Sequence, residues 1–111
     1  MKRNSVYLQH IIDAIQAIEK FIKDISRDQF LEDDMVKSAV IRKIEIIGEA
    51  VKNISEEMKR NYPEIPWKNI AGMRDKLIHG YFGVDEERVW EVTQKDLPLL
   101  KEQISEIIKE C

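Results

Sequence analysis

The sequence predicts an all-α protein: an antiparallel bundle of four principal helices in one domain that spans residues 1–111. A length of 111 residues suits a single domain with one modest hydrophobic core. The composition is 43% hydrophobic and 35% charged, with only 4 Gly and 3 Pro to interrupt helices. Apolar residues also recur at helical spacing along most of the chain, which favours long amphipathic helices over strands.

The first helix is predicted from Val6 to about Ile25, because its apolar residues form one stripe. Ser26 and Gln29 then have the spacing of a capping box, which predicts a short helical turn through Phe30 and Leu31. The stripe consists of Leu8, Ile11, Ile12, Ile15, Ile18, Ile22 and Ile25.

A second long helix is predicted from about Asp33 to Ile54. Gly48 lies inside it, where glycine costs about 1 kcal/mol relative to alanine. We expect that another helix approaches closely at this point and compensates for the cost. The apolar stripe of this helix is Val36, Val40, Ile44, Ile47, Val51 and Ile54.

The segment Ser55–Pro66 is predicted to be a connector, because Pro63 and Pro66 each disfavour helix in the residue before them. A short helical turn fits Glu56–Lys59 within this connector. Pro66 suits the first turn of a third helix, where its missing N–H is not needed.

The third helix is predicted to run from about Trp67 to His79 and to stop near Gly80 and Gly83. Asp85 can cap a fourth helix that continues to the C-terminus, and Pro98 should kink or divide that helix. The apolar face of the fourth helix is Val89, Trp90, Thr93, Leu97, Leu100, Ile104, Ile107 and Ile108. Its Trp90, like Trp67, is interpreted as a core or interface anchor rather than a base-stacking platform.

The formal net charge of −3 argues against a general nucleic-acid binder, so any contact with phosphates must come from a local cationic site. Cys111 is the only cysteine and has no partner for an internal disulfide, which fits a reducing, cytoplasmic location. The N-terminal residues show no signal-peptide pattern, and no apolar stretch is long enough to span a membrane.

The chemistry of the chain is concentrated around Arg74, His79 and Tyr81, at the end of the third predicted helix. Arginine can hold a phosphate through two nitrogens, and histidine exchanges a proton near neutral pH. These are the two abilities needed to cleave RNA without a metal or cofactor, by transphosphoesterification that leaves a 2′,3′-cyclic phosphate. His10, His79 and Cys111 have no familiar metal-ligand spacing, so no metal site is predicted.

One histidine is too few for a mechanism that uses both an acid and a base. His10 lies on the first helix and is expected to be simply exposed. A two-fold homodimer would bring two copies of Arg74 and His79 together, provided that the motif lies near the symmetry axis.

An arginine, four residues, a histidine, one residue and a tyrosine form a pattern that resembles the Rx4HxY motif of HepT-like toxins in the HEPN superfamily. The resemblance covers nearly the whole chain and is more specific than the motif alone. It extends over Val40–Ala50, Tyr62–Trp67, Gly72–Asp75, Phe82–Asp85 and Val89–Trp90.

The resemblance implies a HEPN-like helical dimer with its motifs at a shared cleft, acting on RNA as a metal-independent ribonuclease. It implies the toxin of a prokaryotic type VII toxin–antitoxin module, with Arg74 and His79 as the catalytic pair. Tyr81 would be the residue that the antitoxin, a minimal nucleotidyltransferase of the MntA type, modifies with AMP. Each adenylate would add negative charge and bulk beside His79 and repel RNA phosphates.

Two side chains near the motif have alternative interpretations. Asp75 could pair with Arg74 and weaken its hold on a phosphate, or it could orient His79 one helical turn away. Arg42 and Glu49 are seven residues apart on one helix face, and an ion pair between them is the favoured interpretation. The alternative is that Arg42 adds a cation to the dimer cleft.

Another class of function also fits the sequence. The chain could be a catalytically silent helical dimer that binds or scaffolds a nucleotidyltransferase, with Tyr81 as the acceptor of the modification. The acidic net charge favours this alternative mildly, because RNA-binding surfaces are usually basic. A nucleotide-binding regulatory domain has less support, since Gly80 and Gly83 follow a predicted helix rather than open one.

Overall fold

The computed structural model describes residues 2–77 and 85–110, and these residues form helices and turns without any strand. The all-α prediction is confirmed for this part of the chain. A π-helical segment, Val92–Asp96, joins the last two helices. The helices are α1 (Lys2–Phe21), α2 (Arg27–Glu32), α3 (Asp34–Lys52), α4 (Glu56–Asn61), α5 (Trp67–Ala71), α6 (Met73–Leu77), α7 (Glu86–Glu91) and α8 (Leu97–Glu110).

The centre of the bundle is α1, which packs against α3 on one side and α8 on the other. Asn4, near the start of α1, exchanges two hydrogen bonds of 2.9 and 3.0 Å with Ser55, just beyond the end of α3. Near the other end of α1, Glu19 accepts a 2.9 Å hydrogen bond from Lys101 in the first half of α8. Both contacts require α1 to run antiparallel to its neighbours, as the bundle prediction expects.

Predicted helix ends are correct where a side chain caps the helix and less accurate elsewhere. The Ser26 side chain accepts from the Gln29 backbone N–H, and the Gln29 side chain accepts in return from the Ser26 N–H, so the capping box is present. The first helix ends at Phe21 instead of Ile25, because Asp24 adopts a φ of 63° in the left-handed region. Aspartate tolerates this conformation better than most residues, and the chain turns there towards α2.

The close approach expected at Gly48 is present. A Cβ atom built on Gly48 would lie 3.3 Å from the carbonyl oxygen of Ala71, the last residue of α5. The missing side chain therefore allows the backbone of α5 to rest directly on α3. This contact also fixes the position of α6, which begins two residues later.

The third helix is not the continuous element that was predicted for residues 67–79. It is divided into α5 and α6 at Gly72, whose N–H donates to the carbonyl of Lys68 at 3.1 Å. Glycine lowers helix stability, and the division lets Met73 and Leu77 of α6 both enter the core. Predictions for residues 78–84, including the end of this helix at Gly80, lie outside the described residues.

The last predicted helix is divided as Pro98 suggests. Asp85 caps α7 by accepting a 3.2 Å hydrogen bond from the Arg88 N–H, which confirms the predicted cap. The π-helical segment ends immediately before Leu97, and Pro98 has no N–H to continue an α-helical ladder through that turn. A wider helical turn accommodates the proline ring without ending the helix.

Both tryptophans anchor the core, as interpreted from the sequence. Trp67 is buried, and its indole N–H donates to the carbonyl of Tyr62 at 3.0 Å. Trp90 is half-buried, and its ring lies 5.1 Å from the ring of Phe30. In the part of the chain that the structure describes, no helix is both long enough and apolar enough to cross a membrane.

Candidate functional site: the Arg74 cluster

Arg74 projects from α6 at the surface of the bundle. The residue before it, Met73, and the residue three positions after it, Leu77, are both buried. These two apolar side chains fix the short helix on the core, although five residues are too few for a stable helix on their own. The Arg74 side chain retains 51% of its exposure, so it can reach a ligand in solvent.

Glu45 on α3 holds Arg74 in place. The Arg74 Nε donates a hydrogen bond of 2.5 Å to Glu45 Oε2. The side chain of Glu45 is only 26% exposed, which makes the pair less accessible to water than an ordinary surface ion pair. Contact with Glu45, and to a smaller extent with Asp75, raises the pKa of the Arg74 guanidinium.

The bond to Glu45 leaves most of the guanidinium available. Arginine has five N–H donors, and Glu45 accepts from the one on Nε. Neither terminal nitrogen of Arg74 makes a hydrogen bond to the described residues. The end of the guanidinium fork can therefore still bind a phosphate through two parallel N–H donors.

Asp75 pairs with Arg74 only loosely. Its Oδ1 lies 3.6 Å from the NH1 of Arg74, and its side chain is 81% exposed. Of the two alternatives for Asp75, the structure thus shows an ion pair with Arg74, but one that a bound phosphate could displace. Its proposed contact with His79 falls on a residue outside the described ranges.

The predicted ion pair between Arg42 and Glu49 is wrong. Arg42 NH1 instead lies 3.9 Å from Glu45 Oε1, and Glu49 pairs with Lys52 at 3.7 Å. Seven residues of helix span about 10 Å, whereas residues three apart are adjacent on the surface. Arg42 therefore belongs with Arg74 in one group, which we call the Arg74 cluster: Arg42, Glu45, Arg74 and Asp75.

Glu45 was missed by sequence reasoning. A signal was present, because Glu45 lies three residues after Arg42 and inside a segment, Val40–Ala50, that carries the family resemblance. Nothing local connects it with Arg74, which is 29 residues away in sequence. The two meet only because Gly48 lets α5, and hence α6, pack closely against α3.

His79 and Tyr81 lie outside the described residues, and their roles stay predictions. The other histidine, His10, is exposed as expected, with its ring in an edge-to-face contact with Tyr7 at 5.8 Å. Across residues 2–77 and 85–110 no group of three or more His, Cys, Asp or Glu side chains is arranged to hold a metal ion.

Comparison with known proteins assigns the chain to a family. The family model described as "Ribonuclease HepT-like" matches residues 11–107, which include the whole Arg74 cluster. The chain belongs to the HepT-like family.

Individual relatives agree with this assignment. A Thermococcus cleftensis protein named "Probable ribonuclease HepT" is 49% identical over 110 residues, which cover 98% of this chain and 100% of that protein. A "Putative RNase" of Caldanaerobacter subterraneus is 44% identical over 109 residues, covering 98% of this chain and 97% of the relative. No solved structure matches the chain.

A longer relative carries an additional activity in its name. A Methanocaldococcus jannaschii protein named "Gamma-glutamylcyclotransferase and putative RNase" is 50% identical over 105 residues. The match covers 95% of this chain but only 47% of that protein, so the chain spans about half of its length.

Proposed function

We propose that this HepT-like protein is a ribonuclease toxin in which Arg74 binds the scissile phosphate and His79 transfers protons. One observation carries the proposal: Glu45 holds Arg74 through Nε, and within the described residues the terminal nitrogens have only the loose 3.6 Å contact of NH1 with Asp75. An arginine held this way is prearranged to stabilise charge that develops on a phosphate. The ribonuclease names of the family and of the relatives support RNA as the substrate.

The proposed reaction needs no metal ion. His79 of one protomer removes the proton from a ribose 2′-hydroxyl, and the 2′-oxygen forms a bond to phosphorus while the bond to the 5′-oxygen breaks. His79 of the second protomer protonates the leaving 5′-oxygen, so the products are a 2′,3′-cyclic phosphate and a 5′-hydroxyl. The homodimer is part of this proposal because each protomer supplies one histidine.

RNA cleavage by the purified chain tests this proposal. Arg74→Ala and His79→Ala should each reduce the cleavage rate by about 100-fold or more, because each removes a group that acts on the transition state. Arg60→Ala is the matched control, since Arg60 is exposed on α4 and has no ion pair within the described ranges. A chelator should leave the rate unchanged. Equal cleavage by parent and His79→Ala would contradict the proposal.

Control by an antitoxin is the second part of the proposal. A minimal nucleotidyltransferase would attach AMP to Tyr81 and so bring negative charge to the RNA site. Co-expression with such an enzyme should raise the intact mass by whole AMP units, and Tyr81→Phe should abolish the increase. Modified protein that cleaves RNA as fast as unmodified protein would exclude this form of control.

A silent, partner-binding dimer is the second candidate function. It is favoured by the charge balance of the Arg74 cluster, where Glu45 and Asp75 offset the charges of Arg42 and Arg74. Induction of the chain alone in a bacterium separates the two candidates. A toxin should arrest growth, with rescue by His79→Ala, whereas a silent module should allow normal growth with either protein.

A further inference from the structure

A groove lies on the opposite side of α6 from the Arg74 cluster. It has a volume of about 260 Å³ and runs between α5–α6 and the π-helical segment with α8. Arg74 and Lys76 are two residues apart on α6 and therefore point about 200° apart around its axis. Arg74 faces α3, whereas Lys76 lines the groove. We call this cavity the α6–α8 groove.

The floor of the α6–α8 groove is apolar. It is formed by buried side chains, among them Ile70, Met73, Leu77 and Leu100. At its margin Leu99 is 55% exposed, although it is a large apolar residue. A concave apolar floor of this kind can receive a flat, weakly polar group that covers Leu99.

The rim of the groove carries polar side chains that have no partner in the described residues. Lys76 and Arg88 are exposed cations without an ion pair there, unlike Arg74 or Lys37. The amides of Asn69 and Gln103 are likewise without a hydrogen bond to these ranges. Among the described residues of the rim, Asp96 is the one carboxylate, so this part of the rim has a net positive charge in a protein whose total charge is −3.

We propose that the α6–α8 groove binds one nucleotide of a single-stranded RNA next to the phosphate held by Arg74. The base would lie on the apolar floor against Leu99, with its edge within reach of the rim amides and Asp96. Its phosphate would bind Lys76 and Arg88. These two cations favour a ligand that carries phosphates over an uncharged protein segment, because their charge is complementary to that of the phosphate. This proposal rests on the proposed function, because RNA is its ligand.

The position of the groove relative to Arg74 suits a strand that crosses α6. This helix has only five residues, and Arg74 and Lys76 are on its two sides. A strand whose scissile phosphate binds Arg74 would thus meet Lys76 after passing over the exposed surface around Asp75. Binding energy from the groove would then help to align the scissile phosphate on Arg74, although the groove itself would not contact that phosphate.

Binding of an uncleavable oligonucleotide tests the groove separately from catalysis. The probe is a short single-stranded RNA with 2′-O-methyl riboses, which lacks the attacking hydroxyl, followed by fluorescence anisotropy with the full chain. Substitution of both rim cations, Lys76→Gln with Arg88→Gln, should weaken binding about tenfold. It should also lower the number of ions released on binding, measured from the salt dependence of the affinity, by about one to two. The matched control is Lys20→Gln with Lys68→Gln, two exposed lysines outside the groove, which should change binding by less than about twofold.

Equal weakening by the two double variants would overturn the proposal, because it would show diffuse attraction to the whole surface. Leu99→Ala should weaken binding by a smaller factor and leave the oligomeric state unchanged in size-exclusion chromatography with light scattering. A change of oligomeric state in Leu99→Ala would instead identify the groove as an interface between copies and would also overturn the proposal.

The outcomes for the groove and for the proposed function are distinguishable. A parent that cleaves RNA but binds the probe equally well with and without the rim cations would retain the function and lose the groove. A parent that shows groove-dependent binding but no His79-dependent cleavage would retain the groove and lose the function. A parent that does not bind the probe at all would reject the groove directly.

Discussion

Lys37 and Arg74 are both cations that contact two carboxylates, but their surroundings differ. The Lys37 side chain is 9% exposed, and its ammonium group lies 2.7 Å from the carbonyl of Leu31, 2.8 Å from Glu86 and 3.2 Å from Asp34. An ammonium group has three N–H donors, so these partners occupy all of them. Lys37 thereby joins α2, α3 and α7 into what we call the α2–α3–α7 junction.

Arg74 differs from Lys37 in how many of its N–H donors have a partner. Among the described residues, Glu45 accepts a hydrogen bond from the Arg74 Nε–H and Asp75 makes a looser contact of 3.6 Å with NH1, while half of the side chain is exposed. The pKa of each cation is raised by its carboxylate neighbours, chiefly by Glu86 for Lys37 and by Glu45 for Arg74. Ion pairing alone therefore does not separate the two cations. The donors of Arg74 that have no hydrogen-bond partner among the described residues are what make it the candidate for binding a ligand.

Gly48→Val should have the largest effect on stability, because it disturbs the close packing of α5 on α3. The same packing places Arg74. A Cβ would already lie 3.3 Å from the Ala71 carbonyl, and the two methyl groups of valine would push α5 away from α3. We expect a loss of about 1–3 kcal/mol in the free energy of unfolding, measured with urea. Gly48→Ala is the control and should be nearly neutral, since better helix propensity offsets the tighter contact. A valine variant as stable as the parent would contradict the observed approach of α5.

Glu45→Gln tests whether Glu45 holds Arg74 in position for the proposed reaction. The amide keeps the size of the side chain but loses its charge, so we expect RNA cleavage to fall about tenfold with little change in thermal midpoint. Glu49→Gln is the matched control on the same helix, because Glu49 contacts Lys52 and not Arg74. Partial recovery in Glu45→Asp and a change in kcat rather than KM would support positioning; equal cleavage by Glu45→Gln and Glu49→Gln would exclude it.

Lys37→Met should lower the thermal midpoint by several degrees at neutral pH, because three acceptors lose their donor. The pKa of Lys37 is raised in the folded protein, so the charged side chain stabilises the folded state. This stabilisation is complete at pH values below about 10.5, the usual pKa of lysine, and is lost as the pH rises through the folded-state pKa. The difference between parent and variant should therefore shrink above pH 10.5. Lys20→Met, at an exposed residue, controls for general lysine titration. A difference that stays constant through this range would contradict the assignment.

Ser26→Ala should have the smallest effect, about 1 kcal/mol in the free energy of unfolding. It removes the hydroxyl that accepts from the Gln29 N–H at 3.1 Å and so weakens α2, which leads to Leu31 in the α2–α3–α7 junction. RNA cleavage should be unchanged, since no hydrogen bond or ion pair within the described ranges joins α2 to the Arg74 cluster. Ser38→Ala, on the exposed face of α3, should be neutral or slightly stabilising. A loss of cleavage in Ser26→Ala would show that the two regions are coupled.

Most of the helical architecture followed from local signals in the sequence. The apolar stripes located α1, α3 and α8, and Ser26 and Asp85 marked helix starts that the structure confirms. The predicted helix boundaries were wrong where two weak local signals, one for continuing the helix and one for ending it, compete over a few residues. Gly72 divides the third helix because core packing of α5 and α6 outweighs the continuity of the helical pattern.

The candidate site likewise has features that local sequence indicated and features that only the packing of helices produced. The sequence by itself determined the all-helical pattern and the caps, because these depend on residues within a turn or two of one another. It also indicated Arg74, His79 and Tyr81 as candidates, through their spacing in the motif and the family resemblance around it. Only the tertiary structure decided that Glu45 holds Arg74 and that Arg42 joins them. The physical reason is that these contacts cross between helices, and their geometry is set by how closely the backbones pack.

The same limit applies to the α2–α3–α7 junction and to the α6–α8 groove. Nothing in the sequence around Lys37 indicates burial, and Lys76 and Arg88 become neighbours of one cavity only after α6 and α7 pack together. Local sequence determines which face of a helix is apolar, because side-chain direction repeats every 3.6 residues. Which charged groups then meet is decided by the packing of those faces, which depends on shapes contributed by the whole chain.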